Sequence, residues 1–324
     1  MRCVALLRRP YPFERTADDY AELLRTLTED AWDIAFEGGR HTAAIRVYSE
    51  EELTAAERSV LPRLGMFDRD VLEVRFEMRL PPEVEISRSD GKEATVDGET
   101  LKSVEKGSAS LDVAEFVRQL IFAANVARPG CTAIVAGFVS AEDDIQVMLP
   151  MELTDRLSLA RDAADRRGWP RMRRLPVLET WMWMSRHAER PVTTRRAVNA
   201  LTLIVSTNDP PVALMWAMIG LEAVYTSGHG DLLQQLRERA RIFLGDTTAA
   251  SRAISRMYDL RSRLVHGDLN FRGAFFANDP EDEREQAKTD EAYDVAVGIL
   301  LATVQELIAR EWSGVSFSTI CSPA

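Results

Sequence analysis

The sequence predicts two domains in series: an α+β domain over residues 1–165 and an all-α antiparallel helical bundle over residues 175–312. Three observations lead there. A chain of 324 residues is long enough to bury two separate cores. In the first half, apolar residues alternate in short runs bounded by turn formers, the period of half-buried strands. After about residue 175 they recur at three- and four-residue steps with short connections, the pattern of consecutive helices packed on one another.

In the first half, residues 3–7 form a short apolar strand and residues 17–27 an amphipathic helix, with Thr16 placed to cap it. Residues 42–48 give a second strand, and residues 51–64 have helical periodicity. Residues 71–80, VLEVRFEMRL, alternate until Pro81-Pro82 ends the run, because proline cannot donate to a ladder. Residues 87–107 are polar, with Asp90-Gly91 and Asp97-Gly98 as hairpin turn signals. Residues 111–126 form a helix closed by Pro129-Gly130, and the apolar runs at 131–139 and 145–149 are strands. This half has no glycine-rich phosphate loop, paired-carboxylate motif or nucleophile elbow, so its sequence assigns it no ligand.

Residues 154–167 have helical spacing, and the stretch 166–174, with five arginines, Gly168 and Pro170, marks the boundary between domains. The bundle opens with WMWMSRHA and continues at 195–206, with Ala197, Val198, Leu201, Ile204 and Val205 on one face. Asp209 before Pro210 and Pro211 starts the next helix, since the first turn tolerates proline. Residues 212–225 are apolar nearly all round, with Glu222 the only charge, so this helix lies centrally or against a second subunit. Met215, Trp216 and Met218 fit such a surface better than a cofactor site. Ser227 to Gly230 end it, and Asp231 caps a helix whose stripe is Leu232, Leu233, Leu236, Ala240 and Phe243. Thr247 or Thr248 starts another. Pro280 with Glu281, Asp282 and Glu283 opens the last, which runs to about residue 310.

Charge is distributed unevenly. Residues 1–150 hold 18 Lys and Arg against 28 Asp and Glu, a balance of −10, while residues 151–324 hold 22 against 23, a balance of −1. Residues 166–263 hold 16 basic against 8 acidic, or +8, so a nucleic acid would meet that segment and not the acidic half. Cys3, Cys131 and Cys321 are few, odd in number and widely spaced, which fits a reducing compartment and offers no zinc spacing. The start lacks a secretory pattern, and the apolar run ALMWAMIGL is well short of the roughly 20 residues that span a bilayer. A cytoplasmic protein with no membrane partner is expected. His187 and His229 read as surface residues.

One position carries chemistry. Ile254, Met257, Tyr258, Arg261, Leu264 and Val265 recur at helical steps, so a cation interrupts an apolar stripe. An unpaired buried guanidinium is costly, so Arg261 requires an acidic partner, with Glu222 the candidate, or a wet cleft between subunits that receives an anion. His266 falls in the last turn, and Gly267 after it can take the left-handed conformation that ends a helix. The carbonyl end of a helix favours imidazolium, which suits proton transfer. The plain alternative is a structural Arg261–Glu222 pair and a histidine that only donates to the last carbonyls.

Arg261 and His266 with four residues between them, flanked by Tyr-Asp-Leu-Arg-Ser and Leu-Val-His-Gly, with LEAVY at 221–225 on an earlier helix, resemble the Arg-x4-His signature of the HEPN superfamily and its ApeA-like branch. The resemblance covers residues 175–312. It implies a HEPN-like bundle that forms a homodimer with its two motifs facing across a cleft. It implies a metal-independent endoribonuclease that takes RNA as substrate, needs no cofactor, and serves in prokaryotic antiviral defence. Arg261 and His266 would be catalytic, with Ser262, Glu222 and Tyr258 supporting. Ser262 departs from the family pattern, where Asn, Asp or His often follows the arginine; its hydroxyl can bond a phosphate oxygen but carries no charge. The other reading is a non-catalytic HEPN dimerisation or binding module, with the N-terminal domain as the functional part.

Overall fold

The computed structural model describes residues 2–9, 17–29, 32–36, 39–60, 69–76, 83–87, 93–141, 144–147, 156–207, 209–228, 230–245, 248–268 and 280–317. Its contacts divide the chain into two units. The first comprises Met1–Ile121 with Thr132–Leu153, the second Phe122–Cys131 with Thr154–Ala324.

The first unit contains β1 (Arg2–Arg8), α1 (Ala17–Glu29), β2 (Trp32–Phe36), β3 (Gly39–Ser49), α2 (Ala55–Val60), β4 (Arg69–Phe76), β5 (Glu83–Ser87), β6 (Glu93–Asp97), β7 (Ile134–Ala141) and β8 (Asp144–Val147). Six strands form one antiparallel sheet in the order β2-β3-β4-β1-β7-β8, and β5 and β6 pair separately. The continuous apolar run of β1 follows from its central place: Cys3 through Leu7 are all fully buried, on both faces of the strand. Burial pushes the Cys3 thiol up to about 12, so it stays protonated and inert. On α1, Tyr20, Leu23 and Leu27 form the buried stripe, and the Trp32 indole donates to the Leu27 carbonyl at 3.2 Å.

Around Glu73 the buried polar groups are matched to one another. Arg2 donates to Glu73 at 2.8 Å and to the Tyr48 hydroxyl at 2.9 Å, and pairs with Glu57. Burial pushes the Glu73 carboxyl up, but hydrogen bonds from Arg2, Arg75 and Tyr48 outweigh it and hold the group below the ordinary carboxylate range.

Three local differences from expectation have physical causes. The helix expected over 51–64 is divided. Ser49 and Glu52 close a capping box on a short 3-10 turn, Leu53 is extended, and Thr54 caps α2, with its hydroxyl accepting from Glu57 N at 3.2 Å and its N–H donating to Glu57 at 2.8 Å. Second, α3 (Gly98–Ala127) begins thirteen residues before the expected 111, because a polar stretch without proline can stay helical; Asp97-Gly98 opens this helix and is no hairpin turn. Asp90-Gly91 lies outside the described residues, between the paired strands β5 and β6. Third, β2 forms where no strand was expected: Trp32, Ile34 and Phe36 alternate with Asp33 and Ala35, but over five residues the period is a weak signal, and pairing with β3 decides.

The second unit contains the end of α3, then α4 (Leu157–Arg167), α5 (Val177–Ser185), α6 (Val192–Val205), α7 (Pro210–Tyr225), α8 (Leu232–Leu244), α9 (Thr248–His266) and α10 (Pro280–Ala309). α10 is the centre, packed against α4, α6, α7, α8 and α9. Its residues 295–308 are all buried, as an element covered on every side requires. The stretch Thr289–Ala309 is long and apolar enough to cross a membrane, but 83% of its apolar window is buried by the chain itself, which is the setting of a core helix. Gly220 lets α7 approach, since a Cβ there would stand 2.8 Å from Leu300 and 3.0 Å from Ala200. The Tyr225 hydroxyl is satisfied by Thr303 at 2.7 Å.

The boundary expected at 165–175 is not where the units part. The arginine-rich stretch lies within the helical unit, tied down along its length. Trp169 donates to the Gly245 carbonyl at 3.0 Å, Arg173 N to Gln305 at 2.8 Å, and the Arg173 guanidinium pairs with Glu306 at 2.5 Å. Composition suggested a linker because glycine and proline interrupt regular structure; the Gly245 carbonyl and the side chains of Gln305 and Glu306 on α10 hold the stretch instead.

Candidate functional site

Arg261 lies on the edge of the buried face of α9. Ala250, Ile254, Met257, Leu260 and Leu264 define that face, and Arg261 sits at its margin with its side chain 27% exposed. Glu222 on α7 meets it: Arg261 Nη2 stands 3.6 Å from Glu222 Oε1. That is an ion pair without a hydrogen bond. Arg261 Nε and Glu222 Oε1 are both shut off from water with no hydrogen-bond partner among the described residues. The Arg261 guanidinium lies 5.8 Å from the centre of the half-buried Tyr258 ring, at the limit of a cation–π contact. Ser262 is half-buried.

His266 is the last residue of α9 and is exposed. Gly267 follows with φ +77, its N–H bonded to Leu264 O at 3.4 Å, and Asp268 N bonds Arg263 O at 2.9 Å. These two bonds make a Schellman motif, which leaves the imidazole at the negative end of the helix dipole. Five residues along a helix turn about 140°, so Arg261 and His266 leave α9 on different faces. The structure therefore brings Arg261, Glu222 and Tyr258 together and sets His266 apart from them within one chain.

A cavity of about 310 Å³ opens on the other side of α9, against α10 and the end of α4. Met257, Leu260 and Val295 supply its apolar lining, and Arg167, Arg256, Arg263, Asp259 and Glu291 its charged part, where Arg167 pairs with Glu291. Neither Arg261 nor His266 lines it. Among the described residues no three His, Cys, Asp or Glu side chains converge as a metal site would need.

His187, expected at the surface, is half-buried. Burial lowers its proton affinity, a hydrogen bond with Asn199 raises it, and Arg195 and Arg190 lower it further. The sequence offered no sign of this, because the 3-10 turn that turns His187 inward has no periodicity. His229 lies outside the described residues.

Compared with protein families, with curated proteins and with solved structures, the chain has no significant match.

Proposed function

We propose that the helical unit is a HEPN-like antiparallel bundle that works as a symmetric homodimer and cuts RNA without a metal or other cofactor. The observation that carries this reading is the open pair between Arg261 and Glu222, 3.6 Å apart with an unsatisfied nitrogen on one side and an unsatisfied oxygen on the other. A pair kept for stability closes to hydrogen-bond distance, because only then does attraction offset the lost hydration. The Arg261 side chain, 27% exposed, presents its Nη donors to a phosphate while Nε stays inside, with Glu222 orienting the guanidinium and the Ser262 hydroxyl as a further donor.

The dimer supplies what one chain lacks. Val212 and Ile219 are 43% and 42% exposed on α7, with Met215 and Trp216 half-buried between them, and this helical stripe leads to Glu222. Val265, one turn after Arg261 on the same face of α9, is 50% exposed. An isologous contact through these residues buries the stripe and brings two copies of Arg261 and His266 to one cleft. There, one His266 takes the proton of a ribose 2′-hydroxyl as that oxygen attacks the adjacent phosphorus. The bond from phosphorus to the 5′-oxygen breaks, the leaving oxygen takes a proton from the second His266, and a 2′,3′-cyclic phosphate remains. Arg261 binds the non-bridging oxygens and stabilises the charge that builds on them. Acid–base help of this kind is worth about 10² to 10⁴ in rate. The cytoplasm and prokaryotic defence against phage complete the reading.

The test is a cleavage assay on the purified full chain in EDTA with a mixed RNA pool, alongside sedimentation equilibrium. The expected result is a dimer that leaves fragments ending in 2′,3′-cyclic phosphate. A dimer with no cleavage would mark the helical unit as a binding or dimerisation module, and a monomer at roughly tens of micromolar would remove the composite site altogether.

A further inference from the structure

The cavity of about 310 Å³ between α9, α10 and the end of α4 exists because short side chains line it on both long helices. Ala253 on α9 and Ala292 on α10 stand where larger side chains would have filled the space to the density of an ordinary core. Ala253, Met257 and Leu260 follow at helical steps along α9, and Ala292 and Val295 lie three apart on α10, so each helix turns one apolar strip to the void. Met257, Leu260, Ala292 and Val295 are all buried. The floor is aliphatic, and no aromatic ring lines it among the described residues.

Charged side chains surround this floor. Arg167, at the end of α4, pairs with Glu291 on α10 and donates to the Ala163 carbonyl at 3.3 Å, so that carboxylate is already answered from within the chain. Arg256 and Arg263 leave α9 one turn before and one turn after Leu260, the first exposed and the second half-buried, and Asp259 is exposed beside them. Three guanidinium groups against two carboxylates leave the lining with a balance of +1. At about 30 Å³ for each water-sized group, the space takes about ten non-hydrogen atoms, at the small end of the range for small-molecule sites.

We propose that this cavity binds a small aliphatic monocarboxylate, its chain laid on Met257, Leu260 and Val295 and its carboxylate held by Arg256 at the rim. A single negative charge cancels the balance of the lining, whereas a phosphate monoester, with a charge of about −1.5 to −2, overshoots it. The planar carboxylate matches the guanidinium fork. An aliphatic chain displaces water from the apolar floor, which is the favourable part of binding, and the absence of an aromatic wall gives a flat ring nothing to stack on. Neither Arg261 nor His266 lines the cavity, so this site stands or falls apart from the ribonuclease reading.

The experiment is calorimetric titration of the full chain with sodium octanoate, which has about ten non-hydrogen atoms, at constant ionic strength. One saturable site with a Kd below about 1 mM is expected. Octylammonium has the same chain and the opposite charge and should bind at least about tenfold more weakly; acetate has the head without the chain and should give no saturable heat. Ala253→Phe fills the cavity from a half-buried position and should weaken octanoate binding more than about tenfold. Arg256→Gln should weaken it about fivefold or more, while Arg252→Gln removes the same charge from an exposed position of α9 outside the cavity and should change it less than about twofold. Arg256 is exposed, so its variant decides the matter if Ala253→Phe fails to fold. The proposal is overturned if octanoate gives no saturable heat, if octylammonium or acetate binds as tightly as octanoate, or if Arg252→Gln weakens binding as much as Arg256→Gln.

Discussion

Arg261→Lys keeps a positive charge and discards the planar fork, so it separates holding a phosphate from balancing Glu222. If the proposed chemistry holds, this variant loses most of its cleavage while its melting temperature stays within a few degrees of the parent. His266→Ala, at an exposed helix end, should abolish cleavage and cost at most about 2 kcal/mol of stability. A purely structural pair predicts the reverse: Arg261→Ala costs up to about 3 to 5 kcal/mol, less for the residual exposure, and His266→Ala is silent in every assay. Thermal melts and cleavage rates on these variants give opposite outcomes under the two readings. That Arg261 and Glu222 would meet was legible in the sequence, because each is a lone charge in an apolar helical stripe. That they meet loosely was not, because pairing distance depends on the spacing of α7 and α9. Asp294 on α10 offers a test at another pH. Burial, and then Asp290, push its carboxyl up from 3.8 to about 6 against the pull of Arg166, Arg156 and Arg167. A group raised in this way contributes its full stability below its unfolded value, near 3.8, and loses it as pH rises through about 6. Asp294→Asn should therefore stabilise the protein by about 1 to 2 kcal/mol at pH 8, after allowance for screening, and have little effect at pH 4. Urea unfolding at the two pH values measures it, and equal effects at both would refute the assignment.

The turn after α3 has little freedom. Gly130 has φ +73, and a Cβ there would stand 2.2 Å from Ser158 Cβ and 2.7 Å from its Cα, so α4 begins against a bare backbone. Gly130→Ala meets both the left-handed penalty and an atom that cannot swing aside, and should cost about 2 to 4 kcal/mol. Gly168, with φ +67 and open space around it, meets the first penalty alone, about 1 kcal/mol. Chemical denaturation of the two variants should rank them in that order, and equal losses would show that the close approach of Ser158 is unimportant. Elements with a strong period were legible: β1, β4, α6 and α9 lie within a few residues of where alternation or helical spacing put them. The misreadings share a cause, which is that the deciding contact lies outside the window. The division of residues 51–64 turns on two successive capping boxes, in which Ser49 and Thr54 compete with a propensity that would otherwise carry the helix through. The early start of α3 turns on a polar segment that sequence pattern cannot tell from a loop. His187 and its arginines were missed because charge along the chain says nothing of burial.

For the whole molecule, the division into two units ignores the order of the chain, and this is where the sequence misled most. Residues 122–131 end a helix that begins in the first unit, yet they complete the second. Gln305, fully buried in α10, donates to the Val126 carbonyl at 2.7 Å, Leu175 N donates to Ala127 O at 3.1 Å, and Arg161 donates to Pro129 O at 3.0 Å. Apolar spacing marks these residues as buried but cannot say against which core. A fragment of residues 154–324, cut where the strands end, lacks that segment. It leaves Gln305 with fewer acceptors, strips Leu175 of its backbone partner, and exposes the apolar surface that Phe122, Val126 and Ala127 covered. Each orphaned buried group costs about 1 to 3 kcal/mol, and the uncovered side chains add about 1.5 to 3 kcal/mol apiece. Against a total stability of about 5 to 15 kcal/mol, those losses should abolish cooperative unfolding of the fragment or lower its melting temperature by more than about 10 °C relative to the full chain. A synthetic peptide of residues 118–131, added in excess, should bind and restore part of the loss by mass action. Circular dichroism melts of the fragment with and without the peptide decide it: a fragment that melts as the full chain does, indifferent to the peptide, would show that the helical unit is complete from residue 154 onward.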